Sequence, residues 1–307
     1  FAMRALFALL VWDLIPGGMS LQDQPTPVGL AKWPGIDFTF LSNSTIYGPI
    51  KIALAAALVF YAAGVLMPLA LGVMLFVVVG TGTLNNSQGA ATHSSQLAAM
   101  CVLTQFAWYT YAALRRLASR SKPAGLWQRQ VEEGRTAVWF TQQCIAAGYV
   151  VSALSKWLAK GDWLRDSAYF PLQIVKSQRM DYYNDLQPHE ITAGNRYGVV
   201  SEMLRPVARW MESTMMASPE IGRILLAPGF FLELFAVLLL AGRLVGGIFA
   251  LLLVLFHLTV AEIMGLDFKY HVYLLVIFFF SIPYCIGRAS STLIGVAVKE
   301  EPAPAAA

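Results

Sequence analysis

Charge is what this chain lacks most. Only 13% of its 307 residues are Asp, Glu, Lys or Arg, while 57% are hydrophobic, and mean hydropathy is +0.58. An ordinary soluble domain carries about a quarter charged residues, and its apolar runs break well before the roughly 20 residues that cross a bilayer. A soluble globular protein is therefore excluded. The net charge of +4 is small and unevenly spread, and no basic run has interleaved aromatics, so nucleic acid is not an expected partner. Cysteine is scarce too: Cys101, Cys144 and Cys285 all fall inside apolar segments with no metal-ligand spacing, which leaves core packing as their reading and no metal site. No nucleophile elbow or phosphate loop is present, since Gly80, Gly82, Gly246 and Gly247 lie in or beside apolar helices without a lysine-serine sequel. An internal repeat of transporter type is also missing.

What remains is a succession of apolar helices. The composition predicts an all-α, polytopic membrane bundle of about eight transmembrane helices with a small non-cytoplasmic cap. Phe1–Ile15 reads as the first helix, and Arg4 ahead of its apolar run marks a retained span rather than a signal peptide. Residues 16–46, rich in Pro, Gly, Asn, Ser and Thr, form an extramembrane loop. Helices follow at Tyr47–Leu66 and Met67–Thr81, with Pro68 allowing the reversal between them. The polar segment Thr83–Thr92 then leads to a fourth helix from His93 to about Leu114, for which Thr92 is a plausible N-cap. A fifth is expected from Thr136 to Leu158, and the last three at about Ile224–Ala241, Leu244–Gly265 and Phe268–Gly287. Residues 1–298 are thus one membrane domain that includes a cap at 159–222 with an amphipathic helix over Arg205–Met216, and 299–307 are a disordered tail by composition.

Orientation follows from the basic residues. Arg115, Arg116, Arg120, Lys122, Arg129 and Arg135 face only Glu132 and Glu133 in residues 115–135, so that loop is cytoplasmic. Eight helices then put both termini inside, with Arg4, Arg243, Arg288 and Lys299 on the same side. Asp13, His93, Lys156, Asp162, Asp267 and His271 are sent to the outer half, while His189 falls in the cap outside any membrane segment. His257 lies eight residues before Gly265, roughly 12 Å below the outer end of its helix, and Glu262 is nearer the surface. Titratable groups at such depth are costly and usually face a cavity and one another. Lys156, His93 and His257 are the candidate catalytic residues, around a cavity open to the outer face.

Each is open to a second reading. Lys156, between the apolar run and Trp157, can be a base whose amine is desolvated or a lysine snorkelling at an aromatic belt. His93 can be a helix-start residue at the interface, and His257 a core histidine bonded to a neighbouring helix. Glu233, deep in Phe-Phe-Leu-Glu-Leu-Phe, reads as an interhelical pairing partner more than as a catalyst.

The run Tyr149-Val-Val-Ser-Ala-Leu-Ser-Lys156-Trp157 with Asp162-Trp163 resembles the helix end of vitamin K-dependent gamma-glutamyl carboxylase in which a lysine starts quinol oxygenation. The Asn85-Asn86 pair with His93-Ser94 is similar to that family's Asn-Asn-His segment, and Phe231-Leu-Glu233-Leu, Phe256-His257-Leu258 and Ile263-Met264-Gly265 resemble its later helices. The wider group is the bacterial horizontally transferred transmembrane (HTTM) proteins. The resemblance implies a bacterial inner-membrane bundle whose outward pocket takes a quinol or lipid-like molecule, with Lys156 as base. Two departures stand out: Ser155 replaces a second lysine, and residues Ser87–Thr92 separate the asparagines from His93. The family's large luminal region is absent, which leaves a second expectation open: a non-catalytic membrane scaffold or accessory subunit bound to the bilayer and to other membrane subunits.

Overall fold

The computed structural model describes residues 1–19, 35, 37–87, 93–118, 125–158, 198–264, 266 and 268–280. All regular structure among these residues is helical: α1 Ala2–Leu14, α2 Ser44–Ala63, α3 Met67–Ser87, α4 His93–Ala118, α5 Leu126–Leu158, α6 Gly198–Ala217, α7 Pro219–Leu234, α8 Arg243–Met264 and α9 Lys269–Phe279, with 3-10 turns at Thr39–Ser42 and Ala236–Leu240. Among the described residues, five stretches are long and apolar enough to cross a membrane: Ser44–Ala63, Met67–Asn86, Ser95–Ala118, Gln130–Leu158 and Arg243–Ile263. A shorter apolar helix covers Lys269–Phe279. The chain therefore has the length and composition of an integral membrane protein, with helices suited to a bilayer.

Most of the expected helices have counterparts among the described residues, with shifted ends. α2 starts earlier than Tyr47 because Asn43 caps it, its Oδ1 accepting from the Thr45 N–H at 2.9 Å. The reversal into α3 rests on Gly64, the C-cap at φ 76°, and on Leu66 at φ 49°; Pro68 belongs to the first turn of α3 instead. α3 continues past Thr81 through the polar residues to Ser87, since nothing there breaks a helix and the Thr81 hydroxyl bonds back to the Val77 carbonyl at 2.8 Å. α5 takes in residues 126–135, expected in a loop. Ile224–Ala241 is not one helix: α7 starts at Pro219 and ends at Leu234, and the chain tightens into a 3-10 turn before Gly242 at φ 101°. The amphipathic helix expected over Arg205–Met216 is found as α6. Cys285, His189, Asp162, Asp267, Thr92, the tail 299–307 and residues 159–197 lie outside the described residues.

From α1 to α5 each helix packs against the next, and α8 packs against α9. α4 and α5 are fixed in register by Leu97 against Gly148, where a Cβ would stand 2.8 Å from Leu97 Cδ1, and by Trp108 Nε1 donating to the Glu133 carbonyl at 3.0 Å. The core is built from Phe7, Leu54, Leu71, Met74, Ile145, Leu253 and Leu274, all fully buried. Leu9, Ile52, Val59, Leu69, Val151 and Ile248 point outward, as apolar side chains do when their solvent is lipid. At one end of the bundle, Tyr47 donates to the Pro16 carbonyl at 2.7 Å and Tyr270 to the Asp13 carbonyl at 2.9 Å. Asp13 also pairs with Lys269 at 3.2 Å, so the end of α1 and the starts of α2 and α9 meet there.

Candidate functional site

One face of α5 carries the polar groups. Tyr149, Ser152 and Lys156 are spaced three and four residues apart, which stacks them along a single stripe of the helix. The stripe meets α7 at its upper end. Lys156 Nζ lies 2.5 Å from Glu233 Oε2, and Ser152 Oγ donates to the same oxygen at 3.3 Å. The Glu233 side chain is 8% exposed and that of Lys156 26%, so the carboxylate is buried and the amine reaches toward the edge. A carboxylate this deep in an apolar helix needs such partners, because an unpaired charge there is strongly disfavoured.

Beside the pair lies a cavity of about 340 Å³. α6 contributes Met211 and Met215, α7 contributes Leu225, Leu226 and Leu232, and α8 contributes Leu252, Phe256, Val260 and Ile263, with Phe268 closing one side. Among the described lining residues, Lys156 and Glu233 alone are charged. The described lining is thus mainly apolar, with one charged end at Lys156 and Glu233 and with the Thr259 hydroxyl turned back to the Leu255 carbonyl at 2.8 Å. Its shape depends on Gly229: a Cβ there would come 2.4 Å from the Phe256 ring, so only glycine lets α7 approach α8 at that point.

His257 sits one layer behind this chamber. It is 2% exposed, its Nε2 is 2.7 Å from the Tyr149 hydroxyl, and its Nδ1 has no hydrogen-bond partner among the described residues. Phe256 and Phe268, which line the cavity, pack on its ring at centroid distances of 5.3 and 5.0 Å. His271 completes the cluster at 5.2 Å from His257 and 5.7 Å from Tyr149. His257 is therefore not part of the cavity wall; it buttresses that wall and closes the lower end of the α5 stripe.

The structure brings Lys156 together with Glu233 and Ser152, and His257 together with Tyr149 and His271. For His93 it gives the backbone alone, which opens α4 four residues before Leu97 and so stands level with Ser152 on antiparallel α5. Ser155 faces outward and returns its hydroxyl to the Ser152 carbonyl at 2.8 Å. Asp13 is placed with Lys269 and not with Lys156. Glu233 is an interhelical pairing partner, as its sequence suggested, and it also forms the polar end of the cavity. Tyr149 carries no charge and lies inside the apolar run Cys144–Val151, so composition does not single it out; its spacing to Ser152 and Lys156 is the signal that does.

No group of three or more His, Cys, Asp or Glu side chains that could hold a metal ion occurs among the described residues. Compared with known proteins, the chain matches no family model, no curated protein and no solved structure.

Proposed function

We propose that this is an eight-span, carboxylase-like membrane protein of the HTTM type that binds a quinol or lipid-like molecule in the α6–α8 cavity, with Lys156 as its base. The observation that carries the reading is the chamber itself: a mainly apolar described lining whose charged residues sit at one end, an amine in contact with a carboxylate. Such a site suits an amphiphile, its body against Met215, Leu226 and Val260 and its head against Lys156. As a base, Lys156 Nζ takes the proton of a substrate hydroxyl, with Glu233 Oε2 beside it to orient the amine. The resulting ammonium then lies beside the new oxyanion, which it stabilises. His257 and Tyr149 hold the aromatic wall in place behind the substrate. Both termini are cytoplasmic in this reading, residues 159–222 cap the outer face, and the location is a bacterial inner membrane.

The test is quinol-dependent oxygen uptake by the purified protein in nanodiscs. Wild type should support it, and Lys156→Met should abolish it. An undiminished rate in the variant would remove Lys156 as the base.

A second reading has its own observation. The same amine already ties α5 to α7 through Glu233, which is a sufficient structural use for it and suits a non-catalytic scaffold or accessory subunit. In that case wild type shows no quinol oxidation, and cutting the 159–222 cap or altering the apolar exterior releases a co-purifying membrane partner.

A further inference from the structure

The charge balance of the chamber carries a consequence for what it admits, on the reading that it is a ligand pocket. A lysine at the end of an apolar cavity is by itself an anion trap: it would collect fatty acids and acidic phospholipids, which a bilayer supplies in excess of any scarce ligand. Here Lys156 does not stand alone, because Glu233 Oε2 is 2.5 Å from it and the remaining described lining is uncharged. The pair, one cationic and one anionic side chain, has zero net charge. An anionic head entering the chamber would leave one uncompensated negative charge among apolar walls, whereas an uncharged head with a hydroxyl can donate to the carboxylate and accept from the amine.

We propose that Glu233 is the specificity-determining residue of the cavity: by cancelling the Lys156 charge it excludes anionic amphiphiles and reserves the chamber for uncharged, hydrogen-bonding ones. Its placement suits that role. The carboxylate is buried at 8% exposure and anchored by both Lys156 and Ser152, so it cannot swing away to let an anion reach the amine. It also stands in the last turn of α7, where the helix dipole adds negative potential against an incoming anion.

The experiment uses the full chain in nanodiscs of zwitterionic lipid with two photoreactive probes, a long-chain alcohol carrying a diazirine and the alkyl sulfonate of the same length. Labelled peptides are read by mass spectrometry across α6, α7 and α8. In wild type the alcohol should label these segments, and the sulfonate should label them less by roughly tenfold or more. Glu233→Gln keeps the shape and removes the negative charge, so labelling should swing toward the sulfonate. The double variant Glu233→Gln/Lys156→Gln removes both charges and should return the preference to the alcohol. Because the wild-type ratio alone is decisive, poor assembly of a variant does not rescue the idea. Equal labelling by both probes in wild type, or no swing in an assembled Glu233→Gln protein, would overturn the role of Glu233. If neither probe labels these helices, the ligand-pocket reading falls as well.

Discussion

Replacing Lys156 by methionine removes an amine without removing the carboxylate it neutralises, and the consequence can be worked from the contact geometry. Glu233 keeps its 8% exposure and retains only the Ser152 hydroxyl at 3.3 Å, a long and uncharged contact. Breaking a buried pair by deleting one member costs about 3–5 kcal/mol, and the 26% exposure of Lys156 places this one toward the lower end, about 3 kcal/mol. Glu233→Gln is milder, about 1–2 kcal/mol, because the Lys156 amine already reaches toward the edge and the amide still accepts a hydrogen bond. The double variant Lys156→Met/Glu233→Gln has no stranded charge, so its loss should be smaller than the sum of the two, with a coupling of about 2–3 kcal/mol that exceeds the cost of Glu233→Gln itself. The assay is irreversible thermal unfolding in nanodiscs at one fixed scan rate, compared as differences among the four proteins. Lys156→Met should unfold lowest, and the double variant should recover part of the lost temperature. If the double variant is as unstable as the sum of the singles, the pair is not coupled and the charge argument fails. The same series is the proper control for activity, since lost turnover in Lys156→Met means loss of a base only where the double variant is also inactive although better folded.

Other positions test the frame around the pair. Gly229→Ala would place a methyl 2.4 Å from the Phe256 ring, so α7 and α8 must part at a cost of about 1–3 kcal/mol, and probe labelling in the cavity should change with the thermal stability. Tyr149→Phe leaves His257 Nε2 buried without its partner, a loss of about 1–3 kcal/mol, measured as a lower unfolding temperature; an unchanged temperature would show that the 2.7 Å contact contributes nothing. A cysteine placed at Ser167 should be labelled by an impermeant reagent in intact cells and one at Ser121 should not, and the reverse pattern would invert the proposed orientation.

How far the sequence foretold this arrangement depends on the kind of signal. Membrane-length helices were legible because hydropathy over a span is a sum, and no single residue decides it: Met67–Asn86 and Arg243–Ile263 stand out by composition alone. Helix ends were less legible. α3 runs through Thr83–Ser87 because polar residues at a helix end need no core and break no hydrogen bonds, so polarity gave a false stop. The break after Leu234 had the opposite cause: Phe235–Leu240 is as apolar as its surroundings, and the 3-10 turn there is set by α8, where a Cβ on Gly246 would meet the Leu239 carbonyl at 2.4 Å. Within the site, the depth of Lys156, Glu233 and His257 could be counted along each helix, but their partners could not. Partnering depends on rotation about the helix axis, and that is why Glu233 joined Lys156 while His257 turned to Tyr149.

Glu233 is difficult to explain as a device for stability alone. It is buried, it sits one residue before the end of α7, and a carboxylate near a helix C-terminus meets the negative pole of the dipole. Well-packed apolar residues commonly match or exceed a buried ion pair in stability, and this chain has apolar residues in abundance, with 57% of its sequence hydrophobic. The lining of the adjoining chamber shows that the local fold accommodates leucine, methionine and phenylalanine freely. A pair placed against both burial and dipole, at the charged end of a mainly apolar cavity, is better accounted for by the demand of a ligand for both a donor and an acceptor. That demand separates the two functional readings: a scaffold should tolerate Lys156→Met/Glu233→Leu with stability kept or raised, whereas a binding site loses its ligand in that same, more stable protein.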